Sequence, residues 1–270
     1  MKYKEHEILN IDGLSGLLAY INSDGAKKTE KKSHARTAEG NKFRGRETWD
    51  ECLDMMRRGW PEGLQKMAAA VDDVKASMAE PSPVNFGLDV TGQCFDVGAY
   101  LSGEPECWLS PDPEKPKKTY RIILNCCVNG DITAEQIINR GAAVVAMIDA
   151  LQADPSNVVD LTIIYPIRKI KGKHNLCIRL HIGCSPLDID SLSFVVSHPG
   201  FFRRAIFRVI EVFVGYAHCD GYGSAQEDTE LLLAENAIYL PGSNGGNMDD
   251  FKAAESAAEW LQRTIKGLSA

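Results

Sequence analysis

The sequence has no apolar run approaching the roughly 20 residues a helix needs to cross a bilayer, so a membrane-spanning helix is excluded. Its opening residues, MKYKEHEILN, put charges where a secretory signal carries its apolar stretch, and a cytoplasmic protein is expected. No CxxC occurs, and the eight cysteines include the adjacent pair Cys126 and Cys127. That spacing suits neither a zinc ribbon nor a redox pair, and a chain of this size does not need disulfides to hold a core. Reduced thiols are expected. GxGxxG, GxxxxGK[ST], HExxH and HxE…CxxC are missing as well, which disfavours dinucleotide binding, phosphate-loop chemistry, zincin hydrolysis and base deamination. No cofactor and no metal ion is expected.

What is present is ordinary globular material, 270 residues of which 44% are hydrophobic and 25% charged. That fits one large domain or two small ones. The informative feature is where the charge sits. Lys27, Lys28, Lys31, Lys32, Arg36, Lys42, Arg44 and Arg46 stand against Glu30 and Glu39, giving +6 to one window of a chain whose net charge is -7. The rest of the chain therefore carries -13. The window is rich in Gly, Ser, Thr and Asn, with Phe43 its one large apolar residue, so it reads as a disordered basic arm over residues 24–46. Cations on such an arm suit a phosphate backbone, and Phe43 between Lys42 and Arg44 suits stacking on an unpaired base. The candidate nucleic-acid contacts there are Lys31, Lys32, Arg36, Lys42, Phe43, Arg44 and Arg46. A second run supplies Arg168, Lys169, Lys171 and Lys173 around Gly172, at what reads as a hairpin tip. Arg203, Arg204 and Arg208 form a third basic group, which at helical spacing could equally be the wet face of an amphipathic helix.

Hydrophobic spacing places the elements. Ile11, Leu14, Leu17, Leu18 and Ile21 predict a helix before the arm. Thr48-Trp49-Asp50-Glu51 has the form of a capping box, and Trp49, Cys52, Leu53, Met56 and Trp60 follow on one face, predicting a helix over 48–58. A second helix is expected over 64–78, antiparallel to it. From 79 to 119 six prolines exclude long regular elements, leaving one short helix over 96–101. The polar, proline-punctuated stretch 110–118 is the candidate boundary, dividing a helical and irregular region at 1–118 from an α/β region at 119–270, or lying within one continuous domain.

Beyond it, Tyr120–Val128 is an apolar run of strand length, Thr133 opens a helix reaching Ala153, and Val158–Ile167 is a second run. That is a β-α-β unit with a parallel pair. Asn175–Gly183 is expected to return antiparallel, followed by helices over 191–197, 201–214 and 225–235, a strand at Ala237–Leu240 and a helix over 248–266. The fold class is mixed α/β.

Ligands of open α/β sheets sit at the carboxyl ends of strands, here the turn Asn125-Cys126-Cys127-Val128-Asn129-Gly130-Asp131. An adhesion-type divalent-metal site would want Asp and paired Ser there, and only Asp131 is in reach. Cys126 and Cys127 read as small hydrophobes rather than nucleophiles. His181, His198, His218 and Asp220 could supply ligands or proton transfer, although no spacing enforces a cluster. Trp49 and Trp60 read as core, whereas Phe86, Tyr100 and Trp108 lie near the arm as stacking platforms, Trp108 being the hardest to explain as core.

Three blocks carry a resemblance: Trp49-Asp50 through Gly59-Trp60-Pro61-Glu62-Gly63, then Asp96-Val97-Gly98-Ala99-Tyr100-Leu101-Ser102-Gly103-Glu104-Pro105-Glu106-Cys107-Trp108, then Arg140-Gly141-Ala142-Ala143. Over residues 45–170 the chain resembles a family of tailed-bacteriophage proteins of unassigned function. The resemblance implies a viral origin and transfers no catalytic residues. The expectation is a non-enzymatic accessory protein in the infected bacterial host's cytoplasm, binding single-stranded nucleic acid, DNA ahead of RNA. The acidic body would meet a phage polymerase or replication protein. A virion or assembly component, and an enzyme built on the His198 to Asp220 region, are the alternatives.

Overall fold

The computed structural model describes residues 2–3, 6–23, 48–65, 67–68, 86–111, 118–153, 157–170, 174–184, 189–214, 237–243, 248–252 and 254–269. The N-terminal part opens with two strands, β1 (Lys2–Tyr3) and β2 (His6–Asp12), where only a helix was expected. The helix α1 (Gly13–Ile21) begins two residues after Ile11. Gly13 makes the switch, since its φ of 63° lies in the left-handed region that favours glycine. Ile11 shares the apolar pattern with Leu17 and Ile21 because all three face one core, not because one helix carries them.

Helix α2 (Trp49–Arg58) has the expected capping box: the Thr48 hydroxyl accepts from the Glu51 backbone N–H, and the Glu51 carboxylate accepts from the Thr48 N–H at 2.6 Å. Hydrogen bonds to Thr48, first to its backbone N–H and then to its side chain, hold the Glu51 carboxyl below its ordinary value. That half of the box therefore stabilises at neutral pH and is lost as pH falls through the lowered value. Thr48→Ala is expected to cost about 1 kcal/mol, read as a lower denaturant midpoint at unchanged slope. Residues 61–65 and 67–68 are also helical, and the remainder of the helix expected over 64–78 lies outside the described residues.

Within the proline-rich stretch, residues 86–111 form a small antiparallel sheet that hydrophobic patterning missed. Its strands are β3 (Phe86–Asp89), β4 (Cys94–Phe95) and β5 (Trp108–Pro111), in the order β3-β5-β4. Between β4 and β5 lies the expected short helix α3 (Val97–Leu101), capped by Asp96, whose carboxylate accepts the Ala99 N–H.

The second half follows the β-α-β expectation: β6 (Lys118–Asn125), α4 (Ala134–Gln152), then β7 (Asn157–Ile170) parallel to β6. Thr133 and Gln136 cap α4 reciprocally. Strand β8 (His174–Cys184) returns antiparallel to β7, with Ile170 opposite His174. Helix α5 (Ile189–Ser197), a π-helical turn (Phe201–Ala205) and α6 (Ile206–Val214) follow. Strand β9 (Ala237–Leu240) pairs parallel with β6 and leads through a 3-10 turn (Asp249–Phe251) to α7 (Ala254–Ser269). The expected helix over 225–235 lies outside the described residues.

The main sheet runs β1-β2-β8-β7-β6-β9, so the N-terminal strands complete the sheet of the C-terminal half. Alternation along each strand sends Ile122, Leu124, Ile163 and Ile178 to one face, where they meet α1, α2 and α4 to α7 in one large core. The opposite face holds a small cluster of Ile8, Ile123, Ile164 and Cys177. No helix among the described residues is long and apolar enough to cross a membrane.

Candidate functional site

The carboxyl end of β6 lies beside that of β9, on the opposite side from β7. Ligands of open α/β sheets sit in crevices at the carboxyl ends of strands. In this chain the crevice is filled from within. Arg140, four per cent exposed in the middle of α4, donates to the Ser243 hydroxyl at 3.0 Å, the Pro241 carbonyl at 2.6 Å and the Asn125 carbonyl at 3.3 Å. Burial pushes its guanidinium down to about 10, still fully protonated at neutral pH. Arg203, from the π-helical turn, donates to the Asn129 and Ile132 carbonyls and is likewise lowered to about 10 by burial. The loop ends are tied to each other as well: the Ser243 N–H donates to Cys127, the Asn129 N–H to Ser243, and Asn125 binds the Cys127 N–H and the Tyr239 hydroxyl.

This geometry places the residues of the turn after β6. Cys126 and Cys127 are fully buried, and burial, then its neighbour Cys127, raises the Cys126 thiol well above its ordinary value. They pack as hydrophobes. Asp131 is exposed in a tight turn. Among the described residues no group of three His, Cys, Asp or Glu is placed to hold a metal ion.

The third basic group is corrected. Arg203, Arg204 and Arg208 are one to three per cent exposed, not a wet face. Their helix is surrounded: Phe201, Phe202, Ile206, Phe207, Val209 and Ile210 are buried around its whole circumference. Arginines at helical spacing occur on a solvated face or on a buried one, and only the apolar residues between them distinguish the two. Arg208 pairs with Glu211 at 3.2 Å, both buried.

The cations expected to meet phosphate are placed differently. Arg168 and Lys169 lie on the last residues of β7, at the hairpin end where the run was expected. Lys171 and Lys173 between the strands, and Lys31, Lys32, Arg36, Lys42, Phe43, Arg44 and Arg46, lie outside the described residues.

Among the described residues His181 and His198 lie apart. His198 is buried, its Nδ1 accepting the Gly200 N–H at 2.9 Å and its ring set edge-on to Trp60 at 4.4 Å. His181 lies on the opposite sheet face, where Asp12 and Asp160 are 3.3 and 2.9 Å from its two ring nitrogens. His218 and Asp220 lie outside the described residues. Trp60 is core as expected and Trp49 packs against it, whereas Phe86, Tyr100 and Trp108 are exposed. A groove of about 540 Å³ beside the end of α2 is lined by Glu51, Asp54, Arg58, Trp60 and Glu62, with Arg58 tied to Asp54 at 3.1 Å. Its carboxylates outnumber its one cation, which opposes a phosphate ligand.

Arg140 and the exposed Leu88, Phe95 and Leu101 were not singled out from the sequence as candidates. An arginine directly before the apolar run 141–148 of α4 was the available signal for the first. A family model described as a domain of unknown function, DUF7192, matches residues 2–265. No curated protein and no solved structure matches the chain.

Proposed function

The chain belongs to the DUF7192 family, and from that starting point we propose that it is a non-catalytic, phage-encoded accessory protein binding single-stranded nucleic acid, DNA ahead of RNA, in phage transcription or replication. The observation that carries this reading is the separation of charge, +6 over residues 27–46 against -13 elsewhere. The fold sharpens the contrast. Arg140, Arg203, Arg204 and Arg208 are buried inside the body and are closed to phosphate, which leaves the runs at 27–46 and 168–173 as the dense clusters of cations in the sequence. The acidic remainder would keep duplex binding weak and leave a surface for a polymerase or replication protein. The phage origin, and with it the host cytoplasm as the place of action, rests on the Asp96–Trp108 block. A binding role is also favoured over the enzyme alternative by His198, which is enclosed by Trp60 and Phe194.

The test is fluorescence anisotropy of a labelled single strand at two salt concentrations, with a duplex of equal length as control. Replacing Lys42, Arg44 and Arg46 together with alanine is expected to weaken binding and to flatten the log-log salt dependence by about one unit per lost phosphate contact. An unchanged slope removes the arm from the mechanism. No binding at low salt overturns the reading and leaves the virion or assembly role, which the exposed apolar side chains of residues 86–111 favour.

A further inference from the structure

Every large apolar side chain that is exposed among the described residues belongs to one unit, the sheet β3-β5-β4 with α3. Neither hydrophobic core includes a residue of this unit. Exposed apolar side chains gathered on one unit mark a site of association. Register defines its aromatic face. Trp108 lies directly opposite Asp89 on β3 and Phe95 on β4, and directly opposed residues of antiparallel strands share a face. The Phe95 ring stands edge-on to Trp108 at 5.1 Å and packs against Tyr100 of α3 at 5.3 Å. Trp108, Phe95 and Tyr100 keep 36%, 37% and 60% of their surface in solvent.

Charge selects the occupant. Residues 86–111 contain Asp89, Asp96, Glu104 and Glu106 and no Lys, Arg or His. Aromatic faces attract cations through their quadrupoles, and neighbouring carboxylates add to that attraction. The same carboxylates repel a phosphate backbone or an anionic bilayer. We infer that this aromatic face docks a cationic, apolar-studded segment of a partner protein, an Arg or Lys lying over the Trp108 and Tyr100 rings beside Asp89 with an apolar neighbour against Leu101. Tryptophan and tyrosine are the side chains that most often dominate such interfaces. The inference does not rest on strand binding by residues 27–46.

The test uses the full chain and three labelled probes: a peptide of alternating arginine and leucine, the same peptide with glutamate for arginine, and a single-stranded oligonucleotide. The arginine peptide is expected to bind and the glutamate peptide not. Trp108→Ala is expected to weaken peptide binding about tenfold or more, and Asp89→Asn and Tyr100→Ala to weaken it severalfold, with oligonucleotide affinity unchanged. Tyr100→Ala, at an exposed position on α3, keeps the test decisive should Trp108→Ala disturb the sheet. Equal peptide affinity across the variants overturns the inference by placing the cations elsewhere on the acidic body. Equal binding of the glutamate peptide overturns it too. Loss of oligonucleotide binding in Trp108→Ala makes the face a base-stacking platform, and a Trp108-dependent dimer on sizing makes the occupant a second copy; either result replaces the proposed partner.

Discussion

Gly141→Ala is expected to destabilise the protein by about 2 kcal/mol or more, because overpacking against backbone costs about 1–3 kcal/mol or beyond and exceeds the helix-propensity gain of about 1 kcal/mol. Gly141 lies on α4 where it crosses α5. A Cβ there would fall 2.1 Å from the Ser197 Cβ, 2.6 Å from the Ser197 Cα and 2.9 Å from the Val196 carbonyl oxygen. Carbon atoms pack at about 3.5–4.0 Å, so α5 would have to move by more than an ångström. It is poorly free to do so. The Ser197 hydroxyl binds back to the Ser193 carbonyl, the Ser193 hydroxyl reaches the Trp60 carbonyl, and Phe194 and Val195 are fully buried. Gly16→Ala in α1 is the matched control, since its Cβ would meet only the Ile11 side chain at an ordinary 3.5 Å. It should be neutral or stabilising by up to about 1 kcal/mol. Thermal unfolding separates them: for domains of 150–250 residues each kcal/mol shifts the midpoint by about 2–4 °C. A Gly141→Ala protein melting with the wild type would mean that α4 and α5 do not approach this closely.

The β-α-β unit was legible because the inner parts of β6 and β7 are buried on both faces and read as apolar runs, IIL over 122–124 and IIYPI over 163–167. The capping boxes at Thr48 and Thr133 were legible for a local reason, each needing only four residues in order. What failed was non-local. Strand β2 pairs with β8, about two-thirds of the chain away, and its Ile11 is in phase with the following helix by coincidence of spacing. The sheet β3-β5-β4 has no buried face, so no alternation announced it. The Arg203 to Arg208 group was misplaced because charge pattern alone cannot tell whether a guanidinium faces water or carbonyl oxygens. Of the candidate site, the carboxyl end of β6 was found by topology, and the fact that Arg140 closes it was not.

That closure makes a second large prediction. Arg140→Met keeps most of the apolar stem and removes a buried cation, which by itself would relieve desolvation and is often tolerated when a whole ion pair is replaced. Here the partners are not a carboxylate that could be removed with it. They are the carbonyls of Asn125 and Pro241 and the Ser243 hydroxyl, and they stay behind with Asn125 and Ser243 at one per cent exposure or less. Stranded buried acceptors cost about 1–3 kcal/mol each, so the variant is expected to lose about 3 kcal/mol or more. Arg140→Lys should lose less, though a point ammonium cannot span three acceptors that a planar fork reaches together. Hydrogen exchange localises the effect: the Asn129 and Ser243 amides, which tie the loop after β6 to the loop after β9, should lose protection before the rest of the sheet. Combined with Ser243→Ala, the cost should be less than additive, because each change removes the same bond. Additive costs, or a Met variant as stable as the wild type, would mean that Arg140 does not lock this loop. The crevice would then be open to a ligand, and a small-molecule function at the carboxyl ends of β6 and β9 would displace the reading in which the chain acts through its arm and its exposed aromatic unit.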